Sequence, residues 1–340
     1  MKSKYTFIIL IGSVLVFSLA FTFLKPTPIY FQIPKGWPKP NYDFSKNPLT
    51  EEGFQLGRQL FYDPILSKDS TISCASCHLQ ATGFTHVDHS LSHGIEGKIG
   101  TRNSMTMMNL AWSKSFMWDG GVNHLDVQAL NPINSSVEMN ETLANVVLKL
   151  RKSDKYKSFF FAAFGDENIT GQRILKALSQ FELMLVSSNS KYDKVMRKEA
   201  VFTNQEQNGY QLFKTNCASC HSEPLFTNGN FENNGILLDS TLNDIGRQRI
   251  TEKTEDYLKF KVPTLRNIQF TNPYMHDGRF KKLSEVIKHY NSLGNDKKVS
   301  KQLKKSMNLT DNERVDLVAF LLTLTDNEFL FDKRFDYPGE

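Results

Sequence analysis

The 340-residue chain has only four cysteines and three tryptophans, few strand-like stretches, and little excess charge of either sign, with 41 Lys and Arg against 36 Asp and Glu leaving a formal +5. No run of five or more basic residues occurs, so the electrostatic footprint of a nucleic-acid binder is missing and no nucleic acid is expected as a partner. With 40% hydrophobic and 23% charged residues, the composition excludes long disorder, collagen-like repeats and a multi-span membrane protein. A chain of this length is expected to form about two domains. What it does have in quantity is phenylalanine, 26 residues, enough to enclose large flat apolar groups or to fill aromatic cores.

Lys2 and Lys4 precede an uncharged stretch from Tyr5 to Leu24, about 30 Å of helix at 1.5 Å per residue. It reads as an export segment, placing the protein in the periplasm. Ser18 and Ala20 provide the small residues for cleavage after Ala20, while the length equally suits a membrane tether through residues 5–24. No Cys lies nearby, which argues against a lipid-modified terminus. Residues 25–48 follow as a linker rich in Pro (Pro26, Pro28, Pro34, Pro38, Pro40) that can carry neither a regular helix nor a central strand. Folding is expected to start near Leu49.

Four cysteines in an exported chain would ordinarily suggest two disulfides. Their spacing argues otherwise, because they form Cys74-Ala75-Ser76-Cys77-His78 and Cys217-Ala218-Ser219-Cys220-His221, two complete C-x-x-C-H units. Thiols one helical turn apart can add to the two vinyl groups of a haem, and the adjacent imidazole then falls under the iron. A thioredoxin-like pair would need a βαβ context, and a zinc site would need the His on a separate element. His78 and His221 are therefore read as the proximal ligands of two covalently attached haems c.

The two motifs sit in an internal duplication. Thr50-Glu51-Glu52 and Gly57-Arg58-Gln59-Leu60-Phe61 precede the first, as Thr203-Asn204-Gln205-Glu206 and Gly209-Tyr210-Gln211-Leu212-Phe213 precede the second. Both read as a Thr-capped helix. Downstream, Arg102-Asn103 and Met117-Trp118-Asp119-Gly120 are echoed by Arg266-Asn267 and Met275-His276-Asp277-Gly278. Helical patterns dominate, over Glu141 to Lys152, Thr170 to Val186, Leu283 to Asn291 and Thr310 to Leu324. The expected fold is mainly α, with two cytochrome c-like haem domains at 49–186 and 203–335 and a polar linker at 187–202.

The order of these motifs, together with His93-Gly94, Gln128, Val137-Glu138-Met139, Val262-Pro263-Thr264-Leu265-Arg266-Asn267 and Pro273-Tyr274-Met275-His276-Asp277-Gly278, resembles the bacterial dihaem cytochrome c peroxidases and their relatives of the MauG type. The resemblance covers about residues 49 to 335. It implies that the His78 haem reacts with hydrogen peroxide, with Glu138 as the distal carboxylate and Gln128 as a distal hydrogen-bonding group. It places Trp118 between the haems, and a calcium ion at Asn103, Thr271 and Pro273. His93 resembles the distal His that blocks the active haem in many resting peroxidases, with His86 and His89 in the same loop. On the second haem the family's usual Met position is held by Tyr290, as in the MauG type, with Met275 and, more weakly, His289 as competing ligands.

The activity implied is reduction of hydrogen peroxide with electrons from a small cytochrome c or another one-electron donor. One rival is a MauG-like oxidase acting on a protein or small molecule, favoured by Tyr290 and disfavoured by Thr215 and Asn216, which stand where such enzymes place a Trp. A dihaem cytochrome that only transfers electrons is the other, and it would leave Glu138 and Gln128 without a task. A homodimer is expected from the resemblance alone.

Overall fold

The computed structural model describes residues 25–293, 299–304 and 306–339. The expected export segment, 5–24, lies outside them, and among the described residues no helix is long and apolar enough to cross a membrane. In chain order the helices are α1 (Glu51–Tyr62), α2 (Cys74–Cys77), α3 (Leu130–Asn134), α4 (Leu143–Arg151), α5 (Asp154–Phe164) and α6 (Gly171–Met184). They continue as α7 (Lys191–Met196), α8 (Asn204–Asn216), α9 (Gln248–Thr251), α10 (Leu283–Ser292), α11 (Asp311–Leu322) and α12 (Asn327–Leu330). The described strands are β1 (Phe231–Glu232) and β2 (Phe260–Lys261), an antiparallel pair that sets Phe231 opposite Lys261.

Each domain is built on one helix pair, and the sequence shows why the pairs form. Thr50 Oγ1 caps α1 by accepting from Gly53 N, and Thr203 with Glu206 closes a reciprocal capping box on α8. Thr170 and Thr310 cap the partner helices α6 and α11. At both crossings a glycine admits the neighbouring backbone: a Cβ on Gly57 would lie 1.9 Å from the Ala177 carbonyl oxygen, and one on Gly209 would lie 1.9 Å from that of Asp316. The pairs are sealed by the same triangle of rings. Phe61, Phe84 and Phe181 have centroids 4.9 to 6.4 Å apart, and Phe213, Phe226 and Phe320 have centroids 5.0 to 6.4 Å apart. The abundant Phe thus fills aromatic cores.

The duplication is real, but part of its register differs from the sequence reading. Asn109, not Asn103, is the counterpart of Asn267, at the separation that also relates Met117 to Met275 and Gly120 to Gly278. All six have positive φ. Asn109 N donates to Leu185 O and Asn267 N to Leu324 O, so each Asn fastens its loop to the chain just beyond α6 or α11. Side-chain oxygens repeat the arrangement, Asn109 Oδ1 accepting from Ser187 N and Asn267 Oδ1 from Asp326 N. At that separation Arg102 and Asn103 fall opposite Phe260 and Lys261, so neither residue type is repeated, and Arg102 instead spans the domain interface to Asp244.

Three segments depart from the expected layout. Residues 25–48 carry no helix but pack closely on the first domain: Ile29 N donates to Leu49 O, and Trp37 lies edge-on to Trp112 with centroids 4.9 Å apart. The tail crosses back, so Phe329, Leu330 and Phe335 sit in the first domain's core, whereas they were expected in the second. The stretch 187–202 is not a bare linker, because it contains α7, whose buried Asp193 takes both arms of the fully buried Arg266 at 2.8 Å. Arg266 also donates twice to Pro224 O. Removing one member of such a pair strands a buried charge, so Arg266→Met is expected to cost about 3–5 kcal/mol in denaturant unfolding. A loss below about 1 kcal/mol would contradict this reading of the pair.

Candidate haem sites

The first C-x-x-C-H unit is α2 itself, a single turn in which His78 N donates to Cys74 O at 3.0 Å. No disulfide joins any of the four cysteines. Burial pushes the Cys74 thiol up to about 12 and the Cys77 thiol to about 11, so neither is poised as a thiolate. His78 Nδ1 donates to Phe84 O at 2.8 Å. His221 Nδ1 faces Phe226 O at 3.2 Å and Pro263 O at 3.1 Å. Burial holds both imidazoles below their ordinary pKa, His221 at about 4. These carbonyls fix the tautomer that leaves Nε2 bare for a metal. Phe84 and Phe226 reach this position with φ of 59° and 54°, a strained left-handed backbone for a bulky residue, and both rings are fully buried.

At the first site, the segment from His93 to Ile95 lies against Glu138. Cys77 Sγ donates to His93 O at 3.4 Å, Ile95 N donates to Glu138 O at 2.9 Å, and a Cβ on Gly94 would lie 2.5 Å from Glu138 Cα. Glu138 occupies the turn after α3, with Gln128 on the turn before it. Its side chain makes no hydrogen bond among the described residues, and burial alone raises its pKa above the ordinary carboxylate value. The His93 ring lies tilted 4.4 Å from that of His89 and 6.1 Å from that of His86, and His86 and His89 stack on each other.

The second site is a cavity lined by Cys217, Cys220, His221, Met275 and Tyr290, with Trp118 of the first domain in its wall. Tyr290 comes from α10, and burial pushes its phenol up to about 12. Met275 Sδ accepts from Asn234 Nδ2 at 3.4 Å. His289 does not line the cavity, and its Nε2 lies 2.8 Å from Asn234 O. A second cavity of about 400 Å³ occupies the domain interface and is lined by Trp118, Asn103, Thr271 and Pro273 among others.

Each domain plugs its Asp-Gly turn into the other. Gly120 approaches Phe231 so closely that a Cβ would lie 2.3 Å from the ring, and one on Gly278 would lie 2.2 Å from Ser90 O. Arg102 clamps the seam, donating to Asp244 through Nε and Nη2 and to Asp119 through Nη1. Buried Trp118 is tied at both ends, its Nε1 donating to Asn103 O at 2.8 Å and its carbonyl accepting from Lys261 N at 2.7 Å.

The family described as di-haem cytochrome c peroxidase matches residues 51–201, and the cytochrome c family matches residues 206–325. The methylamine utilization protein MauG of Methylophilus methylotrophus is 34% identical over 325 residues, covering 93% of this chain and 94% of that protein. The chain belongs to the dihaem cytochrome c peroxidase and MauG family. Cytochrome c551 peroxidase of Nitrosomonas europaea is 34% identical over 279 residues, 81% of this chain and 80% of that one. A solved MauG-like protein associated with microbial copper homeostasis superposes with a TM-score of 0.82 at 32% identity, covering 91% of this chain and 99% of that one.

As a member of this dihaem family the chain carries two haems c, and its residues fit them. Paired free thiols on one turn, an imidazole with Nδ1 already satisfied, and an apolar cavity beside the second set are what covalent attachment and axial ligation require. The carbonyls of Phe84, Phe226 and Pro263 that orient these imidazoles were missed in the sequence. A hydrophobic residue five or six positions after the His of each motif was the available signal.

Proposed function

We propose that the protein is a periplasmic dihaem peroxidase that reduces hydrogen peroxide at the His78 haem with electrons from a small cytochrome c or a similar one-electron donor. When bound, the haems supply an iron that takes a small ligand and an iron that stores one electron. The observation that carries the reading is Glu138: a carboxyl on the residue that packs against the His93–Ile95 segment next to Cys77, without a hydrogen-bond partner among the described residues and raised in pKa by burial. Ionised, Glu138 would take the proton from one oxygen of peroxide and return it to the other, so that water can leave. Gln128 orients the peroxide by hydrogen bonding. Trp118 lines both the second-haem cavity and the interface cavity, the place for a ring that helps electrons cross. Tyr290 is assigned as the distal ligand of the His221 haem, ahead of Met275. We place His93 in the cluster with His86 and His89, so that the haem His78 would hold would keep an open face for peroxide.

We assign a calcium ion to Asn103, Thr271 and Pro273. No hydrogen bond among the described residues ends on Asn103 Oδ1 or on the Thr271 and Pro273 carbonyls, and oxygen donors of this kind suit Ca²⁺.

A MauG-type oxidation is the second reading, favoured by Tyr290 in the second-haem cavity. Stopped-flow mixing with hydrogen peroxide, followed by steady-state turnover with reduced cytochrome c, separates the two. The peroxidase reading predicts both reactions. Fast reaction with peroxide but no cytochrome oxidation would favour the MauG type, and silence toward peroxide would sink both.

A further inference from the structure

Lys261 is a buried cation with no anion. It is 8% exposed, its Nζ donates to Ser115 O, and no carboxylate pairs with it among the described residues. Burial alone depresses its pKa to about 8. An ammonium held out of water without a counter-charge costs several kcal/mol, so a residue kept in this state points to a missing anionic partner.

Where that partner sits follows from the cavities. Lys261 belongs to β2 and lines both the interface cavity and the second-haem cavity, and among the described residues lining the latter it is the only Lys or Arg. His276 lines the same cavity, is 6% exposed, and has a buried Nδ1 with no hydrogen-bond partner among the described residues. Its ring stacks on Phe260, the neighbour of Lys261, at 3.6 Å with 12° between planes. An orphaned cation and an orphaned imidazole nitrogen therefore share one wall. A haem c carries two carboxylates, its propionates, on the edge opposite the one that Cys217 and Cys220 would hold.

We propose that Lys261 binds a propionate of the His221 haem, with His276 Nδ1 as a second donor to the propionate edge. This rests on the presence of that haem and not on the peroxide chemistry. Because Lys261 N also holds Trp118 O, the ion pair lies next to the ring between the haems. The cation favours the added electron, so Lys261 raises the reduction potential of the His221 haem.

Redox titration of the haem-loaded protein, followed by the separate signals of the two haems, tests this in wild type, K261M and K261R. K261M is expected to lower the reduced-to-oxidised ratio of the His221 haem about tenfold at a fixed potential, about 59 mV for one electron. K261R should stay close to wild type, and the His78 haem should not move. A shift at the His78 haem alone, or at neither haem, overturns the proposal. Should K261M not accumulate with haem, K261Q carries the same expectation. Resonance Raman of the wild type must then show a hydrogen-bonded propionate on the low-spin haem, and a free-propionate band overturns the proposal. A protein inert to peroxide that still shows the K261M shift would sink the peroxidase reading and support the role of Lys261.

Discussion

Replacing Glu138 by glutamine is expected to slow the reaction with hydrogen peroxide by roughly 10²–10⁴-fold while both haems stay attached. Glutamine keeps the shape but cannot accept the proton that must leave the attacking oxygen. The loss should be large because the Glu138 side chain makes no hydrogen bond among the described residues and so has no proton-sharing neighbour there to take over. The same burial gives the wild type a pH signature. A base works when ionised, and burial raises this carboxyl above its ordinary value of 4.5, so the rate should rise with pH through an apparent pKa above that value. The rising limb should vanish in the variant. A loss under about tenfold, or an unchanged limb, would remove Glu138 from the chemistry.

Tyr290→Met is expected to raise the reduction potential of the His221 haem, on the order of 0.2 V within the roughly 0.8 V range that axial ligands command. An anionic phenolate favours oxidised iron, and a thioether does not. Tyr290 is half-buried and lines the cavity that holds His221, with its phenol pushed up to about 12, so it would lose its proton only when a strong Lewis acid such as ferric iron takes the oxygen. Tyr290→Phe separates this from the rival ligand. If Met275 were bound instead, phenylalanine would leave the potential and the spectrum unchanged, and the assignment would fail.

Local marks were legible in the sequence. The C-x-x-C-H turns, the Thr caps and the Gly-x-x-x-Phe pattern of α1 and α8 depend on near neighbours; the helices found over 143–151, 171–184 and 311–322 lie within the expected ranges, and that over 283–292 runs one residue past its expected end. Long-range partners were not legible. Arg102-Asn103 looked like the echo of Arg266-Asn267 because the dipeptide matches, whereas the backbone of Asn109 adopts the same left-handed turn as Asn267. The Pro-rich stretch has no periodicity, so nothing in it announced that Trp37 would meet Trp112 or that Ile29 would pair with Leu49. Lys261 was invisible for a similar reason: the cost of a cation depends on its surroundings, and those come from Ser115, Trp118 and His276, far away in the chain.

The most direct test is an electron paramagnetic resonance spectrum of the fully oxidised protein before and after one equivalent of hydrogen peroxide. The account predicts one high-spin haem, with His93 off the iron, and one low-spin haem, ligated by His221 and Tyr290. The high-spin signal should be lost on adding peroxide. Two low-spin haems that ignore peroxide, both oxidised and after one-electron reduction, would contradict it.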